Sequence, residues 1–367
     1  MIRLFCKRKF TIKTNIVGTF STCFPDIDID YYCDVKNLSE IKRNIQDRKG
    51  IGDINKVLEI YSLYKDTQID NLSHSSIKET LYKELAKLPN KTHPTVKEYI
   101  ETPQVVHDIN RKKDFGAHKP LEFSEITQLL NLMRTDKLGY TCGNKSYYYL
   151  GELAELEEAL IKYTVFSLSK RKFQLVSVPD ILSSNVLQSC GMTINSDRTQ
   201  IYSLDPVHHG PDLYLSGTAE MSLAGLLTDS IHSKKDLPLK LAAVSRCYRA
   251  ETSNLVDERG TYRKYDIEAW MPGRNNYGEI SSCSNCTDYQ SRRLNIKYID
   301  DNKLKYVHTL NGTACAIPRM LIALLETHQD SKGKINIPPV LQPFIGGKKC
   351  IVKNSTVPKL KLMKLKK

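Results

Sequence analysis

Residues 264–285, "KYDIEAWMPGRNNYGEISSCSN", contain two β-like runs joined by a short hydrophilic turn. The runs are residues 264–273 and 279–285, and no helical segment separates them. Similar short runs precede them at "LYLSGTAEMSL" (213–223) and "LKLAAVSRCYRAE" (239–251), again separated by hydrophilic loops. Consecutive strands joined by loops rather than by helices favour an antiparallel sheet over a βαβ series.

Helical patterns lie on both sides of these runs. "SEIKRNIQDRKGIGDINKVLEIYSLYK" (39–65) and "SSIKETLYKELAKL" (75–88) are rich in lysine and glutamate at helical spacing. They predict an antiparallel helical hairpin, with a pair of ordinary surface helices as the alternative. Further on, "IPRMLIALLETHQ" (317–329) is an apolar helix that opens with Pro318. The fold class is therefore α+β: a short helical hairpin arm over residues 34–90, then a mixed domain over residues 91–345.

The net charge of +13 lies at the two ends of the chain. Residues 1–25 carry five basic side chains and no acid, which is typical of a mitochondrial transit peptide; a disordered basic terminus is the alternative. Residues 346–367 carry eight lysines and no acid, and form either a solvated basic tail or a phosphate contact. No apolar run approaches the roughly 18 residues of a membrane helix, so no membrane association is expected.

The ten cysteines are scattered and do not form the framework of a small disulfide-rich domain. Cys283 and Cys286 form one CxxC pair, which is compatible with half a zinc site, a redox dithiol, or neither. A single CxxC without a second pair or nearby histidines is weak evidence for zinc, so no zinc is expected.

Arginines recur on ordered segments, at "RCYRAE" (246–251), "SRR" (291–293) and "IPR" (317–319). An arginine held by an ordered element grips phosphate or carboxylate with a planar, permanently charged fork. Each one alone is more often a structural ion pair, but together they suggest a triphosphate ligand. "GTAE" (217–220) adds a hydroxyl and a carboxylate at a strand end, suited to a small ligand with an ammonium group.

The blocks "LYLSGTAEMSLAG", "RCYRAETSN", "KYDIEAWMPGRNNYGEISSCSNCTDYQSRRLNI" and "HTLNGTACAIPRMLIALLETHQ" resemble, in order, those of seryl-tRNA synthetases, most closely the mitochondrial type. "LAKLPNKTHP" (85–94) resembles the segment that joins this family's tRNA-binding arm to its catalytic domain. The resemblance implies a class II synthetase fold: a six- to eight-stranded antiparallel sheet with flanking helices, preceded by a helical arm. It also implies a homodimer, with Pro179 matching the proline of the dimer-interface motif.

The resemblance implies roles for particular residues. Serine would be held by Thr218, Ala219, Glu220, Arg249 and Thr313, with Glu220 facing the ammonium group. ATP would be held by Arg249, Ala250, Glu251, Glu279, Ile280, Ser281, Ser282 and Arg319. Mg²⁺ bound with ATP would contact Glu279 and Ser282. Arg249, Glu279 and Arg319 would be the catalytic residues.

The implied reaction is attack of the L-serine carboxylate on the α-phosphate of ATP, followed by transfer of serine to tRNA(Ser) in the mitochondrial matrix. Such in-line chemistry needs positioning and charge neutralisation rather than a protein nucleophile.

The sequence departs from the family between Arg263 and Lys264. In the family a second strand and several tens of residues follow the counterpart of "RGTYR", whereas here "KYDIEAW" follows directly. Loss of an internal strand is expected to leave buried backbone groups without partners. Two interpretations therefore stand: a serine-tRNA ligase with an internal deletion at 263/264, or a catalytically impaired synthetase-like protein that binds RNA or a partner protein.

Overall fold

A helical N-terminal part precedes a mixed part built around a short antiparallel sheet. The computed structural model describes residues 25–67, 72–99, 103–135, 146–194, 200–250 and 259–355. These ranges confirm the α+β class predicted from the sequence. The predicted transit peptide up to residue 24 and the end of the basic tail from residue 356 lie outside them.

The α-helices of the described residues are α1 (Ile29–Cys33), α2 (Leu38–Asp47), α3 (Ile54–Asp66), α4 (Leu72–Lys87), α5 (Pro94–Lys97), α6 (Phe123–Leu129), α7 (Glu152–Lys170), α8 (Ser184–Ser189), α9 (Pro206–His209), α10 (Ala219–Leu226), α11 (Tyr289–Leu294) and α12 (Ile317–His328). Short 3-10 turns occur at Val35–Asn37, Lys234–Asp236 and Gln342–Phe344.

The strands are β1 (Met133–Arg134), β2 (Tyr148–Tyr149), β3 (Gln174–Leu175), β4 (Ile181–Ser183), β5 (Leu213–Leu215), β6 (Ile231–Ser233), β7 (Leu241–Ala242), β8 (Arg263–Met271), β9 (Asn276–Thr287), β10 (Lys297–Asp300), β11 (Lys303–Tyr306), β12 (Thr309–Thr313), β13 (Ile335–Asn336) and β14 (Cys350–Ile351).

The predicted helical hairpin is confirmed as α3 and α4. Lys56 near the start of α3 pairs with Glu84 near the end of α4 at 3.0 Å. At the other end of the pair, the Tyr64 and His74 rings lie 4.5 Å apart between centroids, so the helices are antiparallel. The first predicted stretch is not one helix, because the chain turns between α2 and α3, where Gly50 and its neighbours have positive φ.

The arm is fastened to the mixed part through Asn90 and Arg48. The Asn90 side chain is 8% exposed, and its amide donates to the carbonyls of Gly260 and Cys286, each at 2.9 Å. Arg48 donates to the Thr261 carbonyl at 2.5 Å. These bonds join α2 and the segment after α4 to the turn that leads into β8 and to the end of β9.

The longest strands form a three-stranded antiparallel sheet in the order β12-β9-β8. The family resemblance implied six to eight strands; within the described ranges the remaining strands form short pairs or a second three-stranded sheet instead. Two of the short pairings, β3 with β7 and β10 with β6, are parallel. The described residues after β7, up to residue 250, form no strand; the Tyr248 N–H donates to the Ser216 carbonyl and the Ala250 N–H to the Gln200 carbonyl.

β8 forms the open edge of this sheet. Among the described residues its sheet partner is β9 alone. The middle of β8 is exposed, with Tyr265 at 40% and Ile267 at 52%.

The main hydrophobic core lies between α6, α7 and α12. Leu153, Leu156, Leu321 and Leu325 are each at most 2% exposed within it. β14 adds Ile351, which is fully buried, so the folded part extends beyond residue 345, where the sequence placed the boundary of the basic tail. In the described ranges, no helix combines the length and the apolar character needed to cross a membrane.

Glu326 of α12 lies inside this core with no exposed surface. Its carboxylate accepts N–H groups from Phe123 at the start of α6 and from Gly273 and Arg274 in the β8–β9 turn, at 2.9 to 3.3 Å. Burial raises the pKa of this carboxyl, and these backbone donors act in the opposite direction. One side chain thus joins α12 to two other elements.

Candidate active site

A β-bulge at Ile280 determines which side chains of β9 share a face. Glu279 lies opposite Glu268, and Ser282 lies opposite Asp266. The two β8 partners are two residues apart, so they point to the same side of the sheet. Their β9 partners are three residues apart, because Ile280 is the extra residue of the bulge. Glu279 and Ser282 consequently share a face, which a regular strand would not allow.

We call this side of the sheet the pocket face, defined by Glu279, Ser282 and Thr313. Thr313 of β12 lies opposite Ser282 in the register. Ser281 lies on the other side, where its hydroxyl donates to the Thr313 carbonyl at 2.7 Å. This side of the sheet therefore carries the Glu279 carboxylate and two hydroxyl groups at the junction of β9 and β12, with the carboxylates of Glu268 and Asp266 beside them on β8.

Arg319 reaches Glu279 from the first turn of α12. Pro318 occupies the start of this helix, where a missing N–H costs nothing. The Ala316 N–H donates to the Ile280 carbonyl at 2.8 Å, which ties the helix start to the bulge. The Arg319 guanidinium then lies 3.2 Å from the Glu279 carboxylate, with the two side chains 45% and 29% exposed. A half-exposed arginine in this position is accessible to an anionic ligand.

A second group of predicted residues lies at the start of α10. Thr218 has extended backbone and is the N-cap residue, so Ala219 and Glu220 fall in the first helical turn. Ser216, fully buried just before the helix, donates its hydroxyl to the Thr218 carbonyl at 2.7 Å. The cap places the Glu220 carboxylate near the positive end of the helix dipole.

Arg249 lies beside this helix start. Its Nε donates to the Gly217 carbonyl at 3.2 Å, and the Tyr248 N–H donates to Ser216 at 3.0 Å. A Cβ at position 217 would be in ordinary van der Waals contact with the Tyr248 carbonyl and Arg249, so this approach does not itself require glycine.

Glu220 has three polar neighbours. The Nε2 amide group of Gln290 on α11 donates a hydrogen bond to Oε1 of Glu220 at 2.7 Å. The positive charge of Arg249 acts on the Glu220 carboxylate, and the Glu220 charge in turn acts on the Cys190 thiol. Burial raises the pKa of Glu220 above its ordinary value of 4.5, while the Gln290 bond and the Arg249 charge act to lower it. The Gln290 bond and the Arg249 charge thus favour the ionised form of the Glu220 carboxyl against the effect of its burial.

Known proteins match this chain both in a domain model and over most of its length. A sequence model of the tRNA synthetase class II core domain (G, H, P, S and T) matches residues 257–328. The mitochondrial serine--tRNA ligase of Saccharomyces cerevisiae is 33% identical over 395 residues, covering 87% of this chain and 87% of the yeast protein. The chain belongs to the seryl-tRNA synthetase family.

Relatives of this family also show what the chain lacks. The mitochondrial serine--tRNA ligase of Mus musculus is 37% identical over 331 residues, covering 74% of this chain, and the chain spans 64% of the mouse protein's length. The alignment with the yeast family member, at 395 residues, is longer than the 367-residue chain itself. The yeast protein therefore contains residues with no counterpart here.

Solved structures agree on the fold. The seryl-tRNA synthetase of Pyrococcus horikoshii, complexed with ATP, is 26% identical, with a TM-score of 0.64 over 87% of this chain and 91% of that one. The cytoplasmic serine-tRNA ligase of Naegleria fowleri, in complex with AMP, is 22% identical and has a TM-score of 0.74 over 89% of this chain and 98% of that one. The second likeness is of fold alone.

The structure brings the residues expected from the family resemblance together in two groups. Glu279, Ser282, Thr313 and Arg319 surround the bulge, whereas the Thr218–Glu220 turn and Arg249 surround the start of α10. Ala250 follows Arg249 and donates its N–H to the Gln200 carbonyl at 2.9 Å. Glu251 lies outside the described residues. Pro179 is exposed between β3 and β4, away from both groups in sequence.

The cysteine pair of β9 does not form one thiol cluster. Cys283 is exposed and lies opposite Tyr265, on the side away from the pocket face. Cys286 is buried, and its sulfur accepts a bond from the Asn311 amide at 3.2 Å. Asn311 lies opposite Ser284, on the side of the sheet away from Cys283, so its bond to Cys286 places the two thiols on opposite sides and they do not converge on one ion.

Sequence reasoning assigned Arg292 and Arg293 to the phosphate-binding arginines, but their contacts are structural. Arg292 pairs with Asp288 at 2.7 Å, and Arg293 lies 3.4 Å over the Tyr289 ring. It missed Gln290, whose partners Glu220 and Thr309 lie 70 and 19 residues away along the chain. No local sequence signal indicates such a contact.

Proposed function

We propose that this chain is a serine-tRNA ligase that activates L-serine with ATP and transfers it to tRNA(Ser) in the mitochondrial matrix. The observation that carries the proposal is the bulge at Ile280, which aligns Glu279, Ser282 and Arg319 within a chain of this family. The mitochondrial names of the yeast and mouse relatives support the compartment.

Serine would bind at the start of α10. The ionised Glu220 would accept the substrate ammonium group, and Arg249 would pair with the substrate carboxylate and with the α-phosphate of ATP. Thr218 and Thr313 would offer hydroxyl groups near the serine side chain. A site that hydrogen-bonds a substrate hydroxyl disfavours alanine, because its buried polar groups would then lose their partner.

ATP would bind along the pocket face. Arg319 would exchange its bond to Glu279 for the γ-phosphate, while Ala250 and Glu251 would lie toward the adenine end. Ile280 and Ser281 would contribute backbone rather than side-chain contacts. A carboxylate and a hydroxyl on one face suit Mg²⁺, which commonly binds one or two carboxylates together with substrate phosphates. Glu279 and Ser282 would hold this ion, which would neutralise phosphate charge.

In the first step, a serine carboxylate oxygen would attack the α-phosphorus of ATP. The bond between the α-phosphorus and the oxygen that bridges it to the β-phosphate would break, and pyrophosphate would leave. In the second step, a ribose hydroxyl at the 3′ end of the tRNA would attack the seryl carbonyl and release AMP. The protein would orient the reactants and neutralise charge, without a covalent protein intermediate.

The remaining assignments are part of the same proposal. The arm over residues 34–90 would contact tRNA(Ser), and the part of the predicted basic tail (346–367) that follows β14 would be a further phosphate contact or a solvated end. Residues 1–25 would direct import. The catalytic unit, residues 91–345 with the deletion at 263/264, would form a homodimer near Pro179.

One observation favours the second candidate function. The open edge of β8 immediately follows the position where the family has further residues, so the chain could be a synthetase-like protein that binds RNA or a partner without catalysis.

Serine-dependent ATP–pyrophosphate exchange by the purified full chain tests the proposal. We expect exchange above background with serine and at least about tenfold less with alanine, since a lost hydroxyl partner costs that much or more. A cooperatively folded sample without exchange would support the binding protein instead. The exchange rate of Glu279→Gln, which removes the carboxylate proposed to hold Mg²⁺, serves as the background rate.

A further inference from the structure

Gln290 links two predicted substrate-binding regions through a chain of hydrogen bonds. It lies on α11, directly after β9, and is 2% exposed. Its Nε2 donates to Glu220 at 2.7 Å, and its Oε1 accepts the Thr309 hydroxyl at 2.7 Å. Thr309 begins β12, the strand that ends at Thr313. The chain therefore runs from β12 through α11 to the start of α10.

The partners fix the orientation of the amide. An ionised carboxylate only accepts hydrogen bonds, so the NH₂ end of Gln290 must face Glu220. The amide oxygen then faces Thr309, whose hydroxyl donates to it. Each bond satisfies a polar group of a nearly fully buried side chain, which would otherwise cost free energy.

Within the described part of the chain, this arrangement leaves one carboxylate oxygen of Glu220 for a ligand. Oε1 is engaged by Gln290. Arg249 is bonded to the Gly217 carbonyl through Nε and reaches Glu220 through its charge, and Cys190 is the other titratable group near it among the described residues. A carboxylate held at one oxygen presents the other in a defined direction, as a substrate ammonium group requires.

We propose that Gln290 is a positioning residue: oriented by Thr309, it holds the Glu220 carboxylate for the ammonium group of the substrate. The proposal rests on the function proposed above, in that serine is the substrate named for Glu220. It adds a specific role for two residues that the family motifs did not assign.

The activity test compares Gln290→Met with the unmodified chain in ATP–pyrophosphate exchange. We expect the KM for serine to rise about tenfold or more, as for a lost bond to a charged group, with the KM for ATP within about twofold. Thr309→Val should raise the KM for serine by part of the same factor. Thr309→Ser keeps the hydroxyl, so its KM for serine should stay close to that of the unmodified chain. Equal changes in both KM values, or none, would overturn the proposal.

A second test needs no activity. Because burial raises the pKa of Glu220 above 4.5, its stabilising contribution is complete below that value and is lost as the pH rises through the folded-state pKa. Loss of the Gln290 donor raises this pKa further, so Gln290→Met should destabilise more at pH 8 than at pH 5. A shift of one pKa unit corresponds to about tenfold in the unfolding equilibrium constant.

Two controls isolate the contact. In a Glu220→Gln background the pH dependence of the Gln290→Met effect should vanish. Gln329→Met removes a glutamine that is 1% exposed and bonded to the Leu121 and Glu326 backbones, so its cost should be the same at both pH values. A Gln290→Met effect that is independent of pH in both backgrounds would overturn the proposal.

The two tests separate the proposals. An unmodified chain that shows no exchange, together with a pH-dependent Gln290→Met effect that requires Glu220, would refute the ligase function and retain the contact between Gln290 and Glu220. Exchange by the unmodified chain with a serine KM unaffected by Gln290→Met would retain the function and refute the role of Gln290.

Discussion

Arg319 and Glu279 form an ion pair whose side chains are 45% and 29% exposed. A pair this exposed contributes at most about 1 kcal/mol to stability, because water screens it and both side chains lose freedom. The pair instead holds the Arg319 guanidinium next to the pocket face. Arg319→Gln is therefore expected to lower exchange by about 100-fold or more, while the free energy of unfolding changes by less than about 1 kcal/mol.

The comparison variant is Arg292→Gln, which removes an arginine paired with Asp288 at 2.7 Å outside the pocket face. Exchange rates and urea denaturation measure both variants. Equal losses of exchange for the two would mean that Arg319 acts through general stability and not at the site.

Glu220 is expected to set the acid limit of serine activation. The substrate ammonium group needs the ionised carboxylate, and burial raises the pKa of Glu220 above 4.5. The kcat/KM for serine should therefore fall as the pH drops through this raised pKa, and Glu220→Gln should abolish that limb along with most of the serine affinity. A pH series of exchange rates from 5 to 8 measures this, and a limb that survives in Glu220→Gln would assign it to another group.

At the scale of elements, the bulge in β9 predicts different effects for two adjacent serines. Ser282 lies on the pocket face, whereas Ser281 donates to the Thr313 carbonyl on the other side. Ser282→Ala should raise the KM for ATP about tenfold, and Ser281→Ala should cost about 1 kcal/mol of stability with exchange largely retained. Kinetics of both variants at varied ATP concentrations check this; a reversed order would place Ser281 in the pocket.

The fastening of the arm gives a stability prediction. Asn90 donates to two backbone carbonyls and is 8% exposed, so Asn90→Ala would remove a donor from the buried Gly260 carbonyl and one of two donors from the Cys286 carbonyl. We expect a loss of about 2 kcal/mol in the free energy of unfolding. Asn336→Ala, at an exposed position of β13, should change it by less than about 0.5 kcal/mol. Urea denaturation of both variants decides whether the Asn90 bonds carry this energy.

The sequence predicted most of these elements and few of their contacts. Helical spacing and the proline before Arg319 were sufficient to predict α3, α4 and α12, because these signals are local. The bulge was not predicted, since it depends on how β9 pairs with β8. Gln290 was missed for a related reason: both of its partners are distant in sequence and meet it only in the folded chain.

At the scale of the whole molecule, the open edge of β8 predicts self-association. Ile267 is 52% exposed on a strand whose sheet partner among the described residues is β9 alone. Exposed apolar edge strands pair with other chains. We expect species larger than a dimer at high concentration, and Ile267→Lys should reduce them while changing stability by less than about 0.5 kcal/mol.

Ile299→Lys is the matched control, because Ile299 is 47% exposed but lies on β10, which is flanked by both β11 and β6. Sedimentation velocity over a range of concentrations distinguishes the two variants. Equal behaviour would mean that general surface hydrophobicity, and not the strand edge, drives association.

The buried carboxylate of Glu326 makes the two sides of the site unequal in stiffness. It ties α12, which carries Arg319, to the hairpin turn of the strand that carries Glu279, so we expect the side proposed for the triphosphate to move as one unit. Arg249, on the side proposed for serine, follows residues that form no strand. We therefore expect any closure around a bound substrate to come from the side proposed for serine, and a ligand recognised only by the side proposed for ATP to meet a preformed surface.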